Sequence, residues 1–96
     1  MSASGAHAIA KFRLGHIVAT PKALESITQD DILTAIGRHQ SGDWGDLDAE
    51  DRKANDEALV QRTRILSVYH AANGTKFWLI TEADRSVTTV LLPEDY

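Results

Sequence analysis

Four histidines, His7, His16, His39 and His70, are the side chains of this 96-residue sequence best suited to proton transfer near neutral pH. No two of them stand four apart and none falls in a ligand cluster, so a histidine-held metal is not expected. His39 differs from the others. It closes a helical stretch just before a loop rich in glycine and aspartate, where the negative end of the helix dipole raises the basicity of an imidazole. A histidine in that position serves either as a helix cap or as a general base. Ser67 and Thr89 as hydroxyls, Glu82 as a carboxylate and Arg64 as a cation are the groups that would assist it in acid–base chemistry.

The run Asp43, Asp46, Asp48, Glu50 and Asp51 offers oxygen ligands to a hard cation, but its spacing is not that of an EF-hand loop. Loop formation and helix capping account for most of these acids without a metal, and no cofactor is expected. The sequence has no cysteine, which excludes disulfides and thiolate metal sites and suits a reducing cytoplasm. Trp44 and Trp78 are large rigid aromatics that can anchor a partner. Trp44 fits better as a residue closing the core, whereas Trp78 fits either role.

These groups must be placed by a small fold. The length suits one domain, with residues 1–11 as a loose tail and 12–96 as the folded unit. The first ten residues lack the apolar segment of a secretory signal. No apolar run approaches the roughly 20 residues that cross a bilayer. Net charge is −4, unevenly spread: residues 25–57 hold ten acids against Arg38, Arg52 and Lys53, a local −7, and the remainder is +3. An acidic middle argues against a DNA-binding footprint, which is normally a basic patch on a basic domain.

Phe12 to Thr20 alternates and ends at Pro21, which predicts a strand followed by a short helix holding Ala23, Leu24 and Ile27. Thr28 with Asp31 has capping-box spacing and opens a helix to about Gln40, with Ile32, Leu33 and Ile36 as its apolar stripe. Asp48 is an N-cap for a third helix from about Ala49 to Val60, a surface cover. From Thr63 the period becomes two, and Asn73-Gly74 marks a hairpin. A two-residue turn would pair Ala72 with Thr75, His70 with Phe77, Tyr69 with Trp78, Val68 with Leu79 and Ser67 with Ile80. The second turn, Ala83 to Ser86, would pair Thr81 with Thr88, Ile80 with Thr89, Leu79 with Val90 and Trp78 with Leu91. The expected class is therefore α+β, with an N-terminal strand, two to three helices and a C-terminal three-stranded antiparallel meander packed on the helices. This register buries Leu66, Val68, Phe77, Leu79, Val90 and Leu92 and turns Ser67, Tyr69, Trp78, Ile80, Glu82, Thr89 and Leu91 to the other face.

The segments RHQSGDWGDL (38–47), DRKAND (51–56), RILSVY (64–69) and WLITEADRSVTTVLLPEDY (78–96) resemble those of an uncharacterised family of small proteins encoded on bacterial plasmids, prophages and integrative elements. The resemblance spans roughly Phe12 to Tyr96 and implies an accessory role on mobile DNA. Two classes of function follow. One is a cytoplasmic binding module for a host or plasmid protein, in one form an anti-defence protein whose acidic surface imitates nucleic acid. Its contact residues would be Trp78, Tyr69, Glu82, Trp44 and Asp43, and the same face could form a homodimer. The other is a metal-independent ribonuclease of compact toxin-like type. There His39 would be the base, Arg64 or Arg85 would stabilise phosphate charge and Ser67 or Thr89 would position it.

Overall fold

The computed structural model describes residues 10–96. Thr20 accepts a hydrogen bond from the Ala23 N–H, with Pro21 at the first helical position, and starts helix α1, Pro21–Ser26. Thr28 does the same for the Asp31 N–H at the start of α2, Gln29–Gln40. Asp48 accepts from the Asp51 N–H at the start of α3, Ala49–Gln61. The strands are β1 (His16–Ala19), β2 (Ile65–His70), β3 (Lys76–Thr81) and β4 (Val87–Leu91), followed by a single 3-10 turn, Pro93–Asp95.

The strands form one sheet in the order β1-β4-β3-β2, with β1 parallel to β4 and the other pairs antiparallel. The protein is thus α+β with three helices and a four-stranded mixed sheet. The expected meander forms three of its strands, and the N-terminal strand extends it across the β4 edge. That N-terminal strand is shorter than the alternation from Phe12 suggests. The Leu14 carbonyl accepts from the Thr88 hydroxyl instead of entering the ladder, and Phe12 turns its ring inward to Trp44 and His39. Most of the expected tail lies outside the described residues; its last member, Lys11, donates its backbone N–H to the Gln40 carbonyl.

The register of the second hairpin is the expected one, with Thr81 opposite Thr88 and Leu79 opposite Val90. The first hairpin is displaced by one residue. Its pairs are Ser67 with Leu79, Val68 with Trp78, Tyr69 with Phe77 and His70 with Lys76. The loop uses three residues, not two. Gly74 N–H donates to the Ala71 carbonyl, Ala71 N–H donates to the Thr75 carbonyl, and the Asn73 side chain accepts from the Thr75 N–H. Gly74 then takes the left-handed position, φ 89°, that such a loop needs.

Because side chains alternate, this single step exchanges the two faces of β2. Ile65, Ser67 and Tyr69 join Phe77, Leu79 and Val90 beneath the helices, and Leu66 and Val68 move to the opposite face. One apolar cluster unites α1 and α2 with Tyr69, Phe77, Leu79, Val90 and Leu92. A second gathers Trp44, Ala58 and Ile65 with Phe12, Leu47 and Leu59 beneath α3.

The outer edge of β2 is closed. Asn55 on α3 donates to the Leu66 carbonyl and accepts from the Leu66 N–H. The loop beside it takes the next pair: Val68 N–H donates to the Trp44 carbonyl and Asp46 N–H to the Val68 carbonyl. Gly45 makes that approach possible, since a Cβ there would lie 2.0 Å from the Val68 carbonyl oxygen. Two glycine substitutions therefore separate backbone strain from steric exclusion. Gly74→Ala meets no neighbouring atom and should cost about 1–2 kcal/mol, the left-handed penalty alone. Gly45→Ala should cost more and, in hydrogen exchange, should deprotect the Val68 amide, which Gly74→Ala leaves protected. Urea denaturation of both variants checks the order.

Candidate functional site

The polar centre of the molecule lies between the two apolar clusters, on the helix-covered face of the sheet. His39, 0% exposed at the end of α2, has its Nδ1 2.5 Å from Ser67 Oγ on β2 and its Nε2 2.9 Å from Thr81 Oγ1 on β3. Thr81 Oγ1 is 2.7 Å from Thr88 Oγ1 on β4, and Thr88 in turn is 2.7 Å from the Leu14 carbonyl. Counting protons orders the whole chain. A carbonyl only accepts, so the one Thr88 proton goes to Leu14; Thr81 must then donate to Thr88, and His39 Nε2–H must donate to Thr81. Burial keeps the ring from taking a second proton, so Nδ1 accepts from the Ser67 hydroxyl. The imidazole is neutral with its proton on Nε2.

Two effects hold it neutral. Burial, first, and the nearby Arg85 charge, second, lower its pKa to about 4. Phe12 at 5.1 Å and Trp44 at 6.0 Å, both edge-on to the imidazole, close it off from solvent. The helix-end position that suggested a raised basicity is outweighed by the desolvation of a charged imidazole in this enclosure.

The residues of the ribonuclease arrangement are not brought to one accessible place. His39 and Ser67 are bonded to each other inside the core, and both are fully buried. Thr89 lies on the opposite face of the sheet; Thr88 takes the position beside the imidazole instead. Arg64 is paired with Glu82 at 3.1 Å. Arg85 directs its guanidinium at the carbonyls of Ala58, Thr63 and Glu82, tying the end of α3 to the β3–β4 turn. A substrate phosphate therefore has no path to the imidazole in this conformation. Thr81 and Thr88 lie on the covered face in either register, by alternation from Leu79 and Val90; the two-residue turn misses Ser67, which only the three-residue loop brings to His39's side.

The expected contact residues are dispersed in the same way. Tyr69 is buried, its hydroxyl donating to the Asp43 carbonyl at 2.6 Å, and burial pushes its pKa to about 12. Trp44 is buried, with its indole N–H donating to Asp56. The Asp43 carboxylate is exposed and engages Arg38 through two hydrogen bonds, which hold its pKa below the usual carboxylate range. Trp78 is half-buried, its ring 5.5 Å from that of Tyr96, whose hydroxyl accepts from Arg64. Tyr96 thus lies across the face on which Trp78 stands, and Val68, Ile80 and Leu91 there are buried too. That face is not the open polar shelf that the two-residue turn implies.

Among the described residues no group of three or more histidines and acids is positioned to hold a metal ion, and no helix is long and apolar enough to cross a membrane. Comparison with known proteins finds no matching family model, no similar curated protein and no similar solved structure.

The depressed pKa of His39 has a definite sign in stability. The unfolded chain binds the proton near pH 6.5 and the folded chain only near pH 4, so the contribution is complete above pH 6.5 and declines as pH falls towards 4. The decline should amount to about 3 kcal/mol. Urea denaturation between pH 7 and pH 4 should show this decline in the native chain and a decline smaller by that amount in His39→Leu, in which only paired carboxylates such as Asp43 still titrate with folding.

Proposed function

We propose that the protein is a small binding module that receives an extended strand of a partner protein along β1. The observation behind this reading is the contrast between the two sheet edges. Asn55 and the 44–46 loop occupy the outer edge of β2, whereas β1 stands last in the sheet and, among the described residues, no strand pairs with its outer side. His16 and Thr20 donate their N–H groups to the Ser86 and Val90 carbonyls, so the alternation of a parallel ladder turns the N–H and C=O of Ile17 and Ala19 outward. Exposed edges of this kind are ordinarily blunted by charge, proline or cover. Here the edge is flanked by apolar side chains.

Ile17 and Val18, each 47% exposed, stand beside Leu24 at 62% and Leu33 at 57%. With Ile27, Ile32 and Ile36 they line a groove of about 530 Å³ between β1 and the two short helices. Main-chain pairing to the edge and alternate apolar side chains lowered into the groove are the two components of strand addition. The concave shape favours a different protein over a second copy. Across a two-fold axis the groove would face its own image and leave two hollows unfilled, whereas an added strand fills it.

The likeness to proteins of plasmids, prophages and integrative elements supports an accessory role and a partner among host or plasmid proteins in the cytoplasm. An anti-defence protein is one form of that role, and the acidic segment 25–57 suits it. The working surface, on this reading, is the β1 groove and not the Trp78 face.

The reading is tested by placing a photo-crosslinking residue at Val18 in the expressing cell and mapping the captured partner peptide. In the complex, the Ile17 and Ala19 amides should exchange more slowly than in the free chain. Leu33→Asp should reduce capture at least tenfold with the thermal midpoint little changed, since that side chain is exposed. A chain that proves to be a dimer through β1 in light scattering, or capture indifferent to Leu33→Asp, would overturn it.

A further inference from the structure

A second concavity, of about 620 Å³, lies away from the β1 groove, where the end of α3, the β3–β4 turn and the segment before β1 meet. Its lining is cationic. Lys11, Arg13, Arg62 and Arg85 surround it with Phe12 and one acid, Asp84. Although the chain is acidic as a whole, four of the seven bases outside the acidic 25–57 segment converge here. None of the four forms an ion pair among the described residues, whereas Lys22, Arg38 and Arg64 each do. Asp84 forms no ion pair with them among the described residues: its Oδ1 accepts from the Ser86 N–H at 3.0 Å and from the Ser86 hydroxyl at 2.6 Å.

The backbone adds an independent observation. Arg62 at φ 60° and Arg85 at φ 61° are the two non-glycine residues in the left-handed region among the described residues. Glycine is the ordinary choice at such positions, because it carries no Cβ penalty there. At both places an arginine stands instead, and both line this one groove. Arg85 repays its conformation in part by bonding three carbonyls. Arg62 makes no side-chain hydrogen bond among the described residues, and its charge acts against Arg85, whose pKa burial and Arg62 both lower. A fold that holds like charges together without a neutralising partner is suited to an anion that supplies the missing charge.

We propose that the groove binds a small polyphosphate anion of the nucleoside di- or triphosphate class. With Lys11 left aside, since its side-chain end lies against Gly42, three arginines and one acid leave an excess of two positive charges, which matches a di- or triphosphate better than a lone carboxylate. Guanidinium groups bond phosphate oxygens in pairs, and Arg13 and Arg62 are the two with no competing side-chain bond among the described residues. Phe12, Leu59 and Ala83 provide the apolar part of the lining against which the organic portion of such a ligand rests. The volume is that of a small-molecule site, and a concave pocket on an acidic chain suits a compact ligand rather than a nucleic-acid backbone.

The test is isothermal titration of the full chain with inorganic pyrophosphate, with ATP and, as a control, with sulfate, at low and at physiological salt. Pyrophosphate and ATP should bind with one site per chain, and sulfate far more weakly. Equal affinities of pyrophosphate and ATP would place recognition on the phosphates; tighter ATP would add the nucleoside. Arg62→Gly is the decisive variant, because glycine suits the left-handed position and should leave the thermal midpoint unchanged or higher. It should nevertheless weaken binding by about tenfold, as should Arg13→Ala, the loss of one charge-assisted hydrogen bond. Absence of binding by both pyrophosphate and ATP, sulfate binding as tightly as either, or unchanged affinity in both variants would overturn the proposal. So would a short single-stranded oligonucleotide that binds at this groove when pyrophosphate and ATP do not.

Discussion

The hydrogen-bonded series from Ser67 through His39, Thr81 and Thr88 to the Leu14 carbonyl is the constraint on which the remaining structure rests. It joins β2, the end of α2, β3, β4 and the segment entering β1: the three meander strands are linked by hairpins, but His39 and Leu14 come to them from 28 to 74 residues away. Each hydroxyl has one proton, so the series satisfies every member only when all of them are in register. A buried polar group without a partner costs far more than the bond itself is worth, which makes this arrangement specifying as much as stabilising. A sheet slipped by one residue would strand the imidazole against an apolar side chain.

That internal order explains why the polar residues most suggestive of catalysis are occupied with structure. A general base needs access to the proton it removes, and His39 is enclosed by Phe12, Trp44 and three strands. With the centre of the sheet committed in this way, the surfaces left for recognition are peripheral. They are the apolar groove along β1 and the cationic groove at the end of α3. The first is defined by an unfinished hydrogen-bond ladder, the second by unneutralised charge. They present opposite chemistry, so a partner strand and a small anion can be taken up at separate places on one domain.

Arg85 links the second groove to the core. Its guanidinium donates to three carbonyl oxygens and stands 5.7 Å from the Phe12 ring, which itself packs edge-on to His39. The same residue thereby closes α3, shapes the cationic groove and adds to the field that keeps the imidazole neutral.

The helices were legible in the residues themselves. Thr28, Asp48 and the Thr20-Pro21 pair act over three or four positions, and capping chemistry at that range depends little on the remainder of the fold. The second hairpin was legible for the same reason. The first was not, because Asn73-Gly74 suits both a two-residue turn and the three-residue loop found here, and the choice reverses every side chain of β2. What decided it was tertiary: Tyr69 reaching the Asp43 carbonyl and Ser67 reaching His39 under the helices. The parallel seat of β1 beside β4, the closed edge at Asn55 and the meeting of Lys11, Arg13, Arg62 and Arg85 likewise arise from residues far apart in sequence. By itself the sequence determined the elements and their caps, since these are short-range effects. The faces, the edges and both grooves were decided by packing, in which the partner of each group lies tens of residues away.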